Sequence, residues 1–464
     1  MSGDLKSGIR PIGLIEFAST LGGVPKDIPA DAQFTGFALD SRNAKPGDLF
    51  LAIKGANADG HEFTRQASDN GAAATIAERE VPGPHILVPN LVDALAKMAV
   101  HYRGFFKGPV VGVTGSVGKT TTKEFIAAAL SPLGRIAKTE GNRNTEYTAP
   151  LLWPALHGDE RAAVVEMGMR GFGQIRHLAY FAKPTVGVVT NIGYTHLELV
   201  GSREGIAFAK AELFEALPLD GLAVAPTGDD YLGVLRAQAK CPLETFGFHS
   251  GDARVGSYRA VSWQESRVEF VVHGQTVAAA IPAPGRHMAL NAAAALLVAA
   301  HCGVNLEEAA LKLREAQMPA LRMQVVEAGG AKIVLDSYNA APASFKAALE
   351  SLAELPCEGS RLVVMGEMRE LGAALESAHR EVGRMIAASN VARACFVGEA
   401  TRFAREECLI AGMSEDSLTE AKGIEDVRAF VAGAMPGDTI LIKGSRALEL
   451  ERALPQGAPE VAPR

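Results

Sequence analysis

Short apolar runs rich in valine, isoleucine and alanine recur along the chain, and most are followed by a segment of helical period. The run opening PVVGVTGSVGKTTTKEFIAAAL (109–130), AAVVEMG (162–168) and TVGVVTNIG (185–193) do not alternate between apolar and polar positions. That pattern predicts strands covered on both faces, as in a parallel sheet. RVEFVVH (267–273) mostly alternates and predicts a half-exposed antiparallel strand. In the last third, KIVLDSY (332–338) precedes helix-like ASFKAALESLAEL (343–355), and RLVVMGE (361–367) precedes ALESAHREVGRMIAAS (374–389). ARACFVGE (392–399) and DTILIKG (438–444) read as further strands. This rhythm predicts a doubly wound α/β domain. Near the start, DLFLAI (48–53) sits among Gly-rich turns, and LVDALAKMAVHYRGFF (91–106) reads as a helix leading to Gly108-Pro109. Nothing repeats with the period of a solenoid or propeller.

A chain of 464 residues holds about three domains at roughly 150 residues each. The expected organisation is α/β throughout: a small N-terminal α/β domain (1–107), a central domain with a mostly parallel sheet (108–317) and a Rossmann-like C-terminal domain (318–464). Hydrophobic residues at 48% and charged residues at 21% are an ordinary globular balance. The net charge of −7 argues against a broad nucleic-acid surface but leaves room for a local basic pocket. Five scattered cysteines, none in C-x-x-C spacing, argue against a disulfide framework or zinc site and fit a reducing compartment. MSGDLKSGIRPIG has no apolar core of a leader, and AAAALLVAA (292–300) is too short to span a bilayer. A cytoplasmic monomer without a membrane span is the expectation.

Residues 114–120 read TGSVGKT, with a strand entering and a helix leaving. That is the setting of a phosphate loop. The backbone N–H groups of Gly115 to Lys119 are expected to face phosphate oxygens at a helix N-terminus. The segment assigned to nucleotide is Thr114, Gly115, Ser116, Val117, Gly118, Lys119, Thr120 and Thr121. Lys119 would meet the β- and γ-phosphates, and the Thr120 hydroxyl would meet Mg²⁺. The match to G-x-x-x-x-G-K-[ST] is loose: position 113 is valine, and the upstream glycine is Gly112. Glu166 and His196 each lie just past a predicted parallel strand, at the edge where open α/β sheets bind ligands. Lys210 lies in helix-like GIAFAKAELFEAL (205–217). Singly, each has a bland reading as a solvated carboxylate, a packed histidine or a surface lysine.

Together the motifs resemble the Mur ligase family. The compact T-G-x-x-G-K-T loop is shared with folylpolyglutamate synthetases, and EMGMRGFGQI (166–175), TNIGYTHLE (190–198) and AKAEL (209–213) follow in the family's order and spacing. The resemblance implies an ATP-dependent ligase joining a carboxylate to an amine through an acyl-phosphate. It makes Lys119, Glu166, His196 and Lys210 catalytic. Thr120, Glu166, His196 and a carbamylated Lys210 would serve two Mg²⁺ ions. It further implies that His287 and Asn291 of PGRHMALN (284–291) neighbour the nucleotide, that Arg322 reaches phosphate, and that Asp336 takes a ribose hydroxyl. Met288 and Leu321 stand where the family usually has asparagine and glycine.

DSYNAAPASF (336–345) resembles the D-x-Y-N-A-N-P signature of the type that adds D-alanyl-D-alanine to UDP-N-acetylmuramoyl-tripeptide, with Ala341 replacing the second asparagine. Tyr338 and Asn339 are kept, and GEMRELG (366–372) and KGSR (443–446) fit the same type. ALDSRNAKPGDLFLAIKGANADGHEF (38–63) resembles the UDP-binding domain, with Ser41 and Arg42 toward the diphosphate. TEGNRNTEYTAP (139–150) resembles the muramoyl-peptide loop through Asn142 and Asn144, with Thr145, Tyr147 and Thr148 departing from it. The alternatives are a third-residue-adding or folylpolyglutamate-type ligase, an ATP-driven switch, and a degenerate nucleotide-binding scaffold.

Overall fold

The computed structural model describes residues 10–55 and 58–455. Most of the opening stretch 1–13 and two positions of the 38–63 block lie outside the described residues. The chain is mixed α/β with mostly parallel sheets.

The first larger sheet has five strands, in the order Val24–Lys26, His85–Leu87, Ala74–Ala77, Asp48–Leu51 and Gly36–Ala38. Only the first pairing is antiparallel. Helix Leu91–Arg103 closes this unit. Its Asn90 cap accepts from the Asp93 N–H, and its buried face (Leu91, Ala94, Leu95, Met98) joins the core of Phe17, Phe34 and Leu49.

The nine-stranded sheet runs Ile136–Lys138, Ala162–Glu166, Val110–Thr114, Val186–Val189, Leu222–Pro226, Leu243–Gly247, Ala253–Ser262, Glu265–Val272 and Gln275–Ile281. The first seven are parallel. The last two fold back as antiparallel strands, and the exposed positions of Glu265–Val272 are the charged Arg267 and Glu269. Strand Val110–Thr114 is wholly buried, as its run of β-branched residues predicts.

Two helices cover the sheet centre. Lys119–Leu130 is buried along nearly its whole length, and Arg286–His301 packs against it. The alanines 292–295 let these helices approach closely, and a helix apolar all round is an interior one. The 292–300 run is thus core. Among the described residues, no helix is long and apolar enough to cross a membrane.

The third sheet has the order Gln324–Ala328, Ala331–Leu335, Thr439–Lys443, Arg361–Gly366, Arg393–Val397 and Leu418–Ala421, parallel except for its first hairpin. Helices Pro342–Glu354 and Leu375–Ala388 occupy the expected places between strands.

Candidate active site

Register brings three strand ends together. Glu166 lies beside Val113 and Thr114 beside Val189, so the loops after strands 110–114, 162–166 and 186–189 leave one edge of the sheet side by side. The phosphate loop needs glycine at two points. Gly115 has φ 150°, and a Cβ there would sit 1.8 Å from Thr190 Oγ1. Gly118 has φ 84° and passes beneath Asn291, whose Oδ1 would be 3.2 Å from a Cβ.

The loop is stitched to its neighbour. Asn191 Oδ1 accepts from the N–H groups of Ser116 (3.1 Å) and Val117 (3.0 Å). Ser116 Oγ accepts from Gly193 N at 2.8 Å, and Thr190 Oγ1 donates to the Val117 carbonyl. The expectation that every N–H from Gly115 to Lys119 faces phosphate is therefore corrected: two of them are held by Asn191. The orphan donors of the following helix start at Lys119. The Lys119 amine lies 2.8 Å from the Gly115 carbonyl over its own loop. Burial pulls its pKa down, Glu166 opposes that, and Arg322 adds to it.

Glu166 is buried at 1% exposure. Its Oε1 accepts from Asn144 Nδ2 at 2.7 Å, whereas Oε2 is enclosed and takes no hydrogen bond from any described residue. Lys123 Nζ stands 3.8 Å from that oxygen. His196 begins the short helix Leu197–Val200 with φ 67°, and its Nδ1 lies 2.7 Å from Glu370 Oε2 of the C-terminal region. Glu370 is also left-handed, at φ 62°. Non-glycine residues in that region cost about 1–3 kcal/mol each and tend to mark functional contacts. His196 holds the Glu370 carboxyl below the usual range. Lys210 is 1% exposed, with no hydrogen bond or ion pair among the described residues. Burial drives its pKa well below 10.5, and the Lys119 charge adds to the shift.

Across the cleft, Arg322 Nη2 donates to Thr120 Oγ1 at 3.3 Å, and the guanidinium lies 4.4 Å above the Tyr338 ring. Asp336, expected to take a ribose hydroxyl, is already engaged: Oδ2 accepts from Lys443 Nζ at 2.6 Å and Oδ1 from the Met323 N–H at 3.3 Å. Lys443 also donates to the Asn339 carbonyl at 3.1 Å. His287 shares a helix with Asn291, and burial pushes its pKa down to about 4.

A cavity of about 840 Å³ gathers most of the expected residues: 116–121, Asn142, Asn144, Glu166, His196, His287, Asn291, Arg322, Asp336, Tyr338 and Asn339. Thr114, Gly115 and Lys210 do not line it. Ser41 and Arg42 do not reach it: Ser41 Oγ donates to Gln66, and Arg42 pairs with its neighbour Asp40. Residues not foreseen include Asn191, Lys123 and Glu370. Asn191 was within reach of sequence reasoning, standing two residues past a strand that flanks the loop. The other two act through contacts far apart in sequence.

A phosphate loop at the switch point of a parallel sheet, closed over by a second α/β sheet, defines a nucleotide-using α/β enzyme. Family models match in three places: the Mur ligase middle domain at residues 113–299, the Mur ligase glutamate ligase domain at 321–446, and the Mur ligase family catalytic domain at 33–103. The UDP-N-acetylmuramoyl-tripeptide–D-alanyl-D-alanine ligase of Bacillus subtilis is 36% identical, over 90% of this chain and 91% of its own. A MurF structure from Acinetobacter baumannii aligns with TM-score 0.85 at 28% identity, covering 96% and 98% of the two chains. A MurF ligase from Thermotoga maritima in complex with ADP aligns with TM-score 0.77 at 32% identity, covering 90% and 95%. The chain belongs to the Mur ligase family and is an ATP-dependent ligase that forms an amide bond.

Proposed function

We propose that the chain joins D-alanyl-D-alanine to the terminal carboxylate of UDP-N-acetylmuramoyl-tripeptide. The observation that carries this reading is the shared cavity. The Tyr338–Asn339 segment, whose motif marks the D-alanyl-D-alanine-adding type, lines the same space as the phosphate loop. The relatives named for that reaction span nearly the whole chain.

On this reading the tripeptide carboxylate attacks the γ-phosphorus of ATP, releasing ADP and leaving an acyl-phosphate. The dipeptide amine then adds to the carbonyl carbon, and the tetrahedral adduct expels phosphate to leave the amide. Lys119 and Arg322 bring positive charge to the transferring phosphoryl group. Asn142 and Asn144 hold the acyl substrate beside Glu166. The N-terminal sheet takes the UDP end, and the C-terminal sheet takes the dipeptide. Closure of the cleft keeps water from the acyl-phosphate.

The residues present fit Mg²⁺. Glu166 offers an enclosed oxygen without a hydrogen bond, and Thr120 a hydroxyl at the loop. Among the described residues, no cluster of three His, Cys, Asp or Glu side chains holds a metal alone, so phosphate and water would complete its shell. Bound Mg²⁺ would offset phosphate charge. Lys210 is suited to carbamylation: an enclosed amine without a partner sheds its proton readily, and a carbamate would turn it into an oxygen donor.

The test is phosphate release with MgATP, UDP-N-acetylmuramoyl-tripeptide and D-alanyl-D-alanine, each omitted in turn. Release should require all three. Release indifferent to both co-substrates would overturn the reading. Lys119→Ala should abolish release while keeping the circular dichroism of the parent.

A further inference from the structure

Helix Lys119–Leu130 carries a second lysine one turn beyond Lys119, and it never meets solvent. Lys123 is 0% exposed. Its Nζ donates to the carbonyls of Thr139 (2.6 Å) and Gly141 (2.9 Å). The same nitrogen lies 3.4 Å from Glu124 Oε1 and 3.8 Å from Glu166 Oε2. An ammonium has three N–H groups, so two are fixed on the loop and the third remains for the carboxylates. Glu124 has its own partner, an ion pair with Lys138. Glu166 Oε2 has no other cation at this distance among the described residues.

The loop that Lys123 holds runs straight into Asn142 and Asn144. Asn144 closes the circuit by donating to Glu166 Oε1 at 2.7 Å. Thr139 adds a further strut, its Oγ1 accepting from the Glu166 N–H at 3.0 Å. Lys123 therefore ties together two features with different tasks: the carboxylate beside the phosphate loop and the segment that approaches the acyl substrate.

The geometry points to Lys123 as a positioning residue that couples acyl-substrate binding to the metal requirement of the ligase. This rests on the proposed roles of Glu166 and of the 139–144 loop. Lys123 is not among the residues that line the cavity. It holds the Glu166 carboxylate in place from behind, and it fixes the height of the Asn142–Asn144 turn relative to that carboxylate. Buried partners of metal-binding groups typically change metal affinity or activity by about 10- to 100-fold when removed.

The experiment measures phosphate release by the full chain while free Mg²⁺, the tripeptide substrate and D-alanyl-D-alanine are varied separately. Lys123→Met should raise the Mg²⁺ concentration for half-maximal rate and the KM for the tripeptide together, each by about 10-fold or more. The KM for D-alanyl-D-alanine should move less than about twofold, because Lys123 contacts nothing on that side of the cleft. Lys123→Gln, which keeps a donor for the Thr139 carbonyl but no charge, should shift the Mg²⁺ requirement more than the tripeptide KM. It also serves if the methionine variant fails to fold. A uniform fall in kcat with all three constants unchanged would overturn the proposal and leave Lys123 a structural residue. Glu166→Gln is the reference: if it leaves the Mg²⁺ requirement untouched, the metal role of Glu166 fails. If it shifts that requirement and neither Lys123 variant does, the coupling fails alone.

Discussion

Arg322 and Thr120 are 202 positions apart, yet the guanidinium donates to the threonine hydroxyl at 3.3 Å. The contact spans the cleft between the phosphate loop and the third sheet. Thr120 is thereby occupied by the side chain expected to move against phosphate, and the Tyr338 ring supports the guanidinium from below. Two different forces, a hydrogen bond to Thr120 and a cation–π contact with Tyr338, fix Arg322 across the cleft.

Arg322→Lys tests this arrangement. Lysine keeps the charge but loses the planar group that stacks on Tyr338 and reaches Thr120. The exposed-to-buried range of a cation–π contact is about 0.5–2 kcal/mol, so the apo melting temperature should fall by only a few degrees. The KM for ATP should rise by about 10-fold, since a charge-assisted contact to phosphate is replaced by a looser one. An unchanged KM for ATP would remove Arg322 from the nucleotide site.

Strands such as Val110–Thr114 and Ala162–Glu166 were legible because burial on both faces leaves an uninterrupted apolar run, whereas Ile136–Lys138, Leu222–Pro226 and Leu243–Gly247 of the same sheet were not singled out. Leu418–Ala421 was not, because it is an edge strand: Leu418 and Ala421 are buried, while Thr419 and Glu420 between them are polar and accessible. The phosphate loop was legible because its chemistry is local. Lys123 was not, because four residues beyond Lys119 it reads as a surface charge, and only the loop at 139–141 encloses it. Departures from the family pattern also have local answers. Met288 is buried in the alanine-rich core. Thr145 and Thr148 close their turn through a hydroxyl pair at 3.0 Å. Ala341 cannot cap its helix, and Ser344 Oγ accepts its N–H instead.

Lys210 should have opposite effects on stability and turnover. In the unfolded chain its amine titrates near 10.5, whereas in the fold burial holds it well below that. Between the two values the unfolded state carries one more proton, so the lysine destabilises the fold, and the penalty shrinks as pH rises toward 10.5. Lys210→Met, assayed without added CO₂, should therefore raise the melting temperature near neutral pH and raise it less near pH 10.5. Phosphate release by the same variant should drop by at least about 10-fold. Lys210→Ala should regain part of its rate with short added carboxylates. Full activity without them would dismiss the carbamate.

His287 contributes an acid limb to stability. Burial lowers its pKa from 6.5 to about 4, and Nδ1 is enclosed without a hydrogen bond. The neutral ring is tolerated in the fold, and the charged ring is not. Above pH 6.5 neither state binds the proton and the full stability is present. As pH falls toward 4 the unfolded chain protonates first and stability is lost. The whole shift corresponds to about 3 kcal/mol at most. His287→Asn should flatten this part of the urea-unfolding profile. A slope between pH 6.5 and 4 equal to that of the parent would show that other groups govern it.

Leu321 sets two opposing effects against each other. It occupies φ 59°, a left-handed conformation that glycine adopts without strain, and the family usually places glycine here. Leu321→Gly would relieve about 1–2 kcal/mol of backbone strain. The side chain, however, is 0% exposed and packs into the core of the third sheet with Val326, Leu335 and Ile442. Deleting a buried leucine costs about 2–5 kcal/mol, and glycine also gains freedom in the unfolded chain, worth about 0.4–1 kcal/mol more. Packing should win, leaving the variant about 0.4–5 kcal/mol less stable by urea unfolding. The Tyr338 N–H donates to the Leu321 carbonyl at 3.2 Å, a contact that needs no side chain, so the turn presenting Arg322 should survive. The KM for ATP should then stay within about twofold of the parent, because the two effects sit on different atoms. A variant more stable than the parent would mean that the backbone, and not the leucine core, dominates this turn.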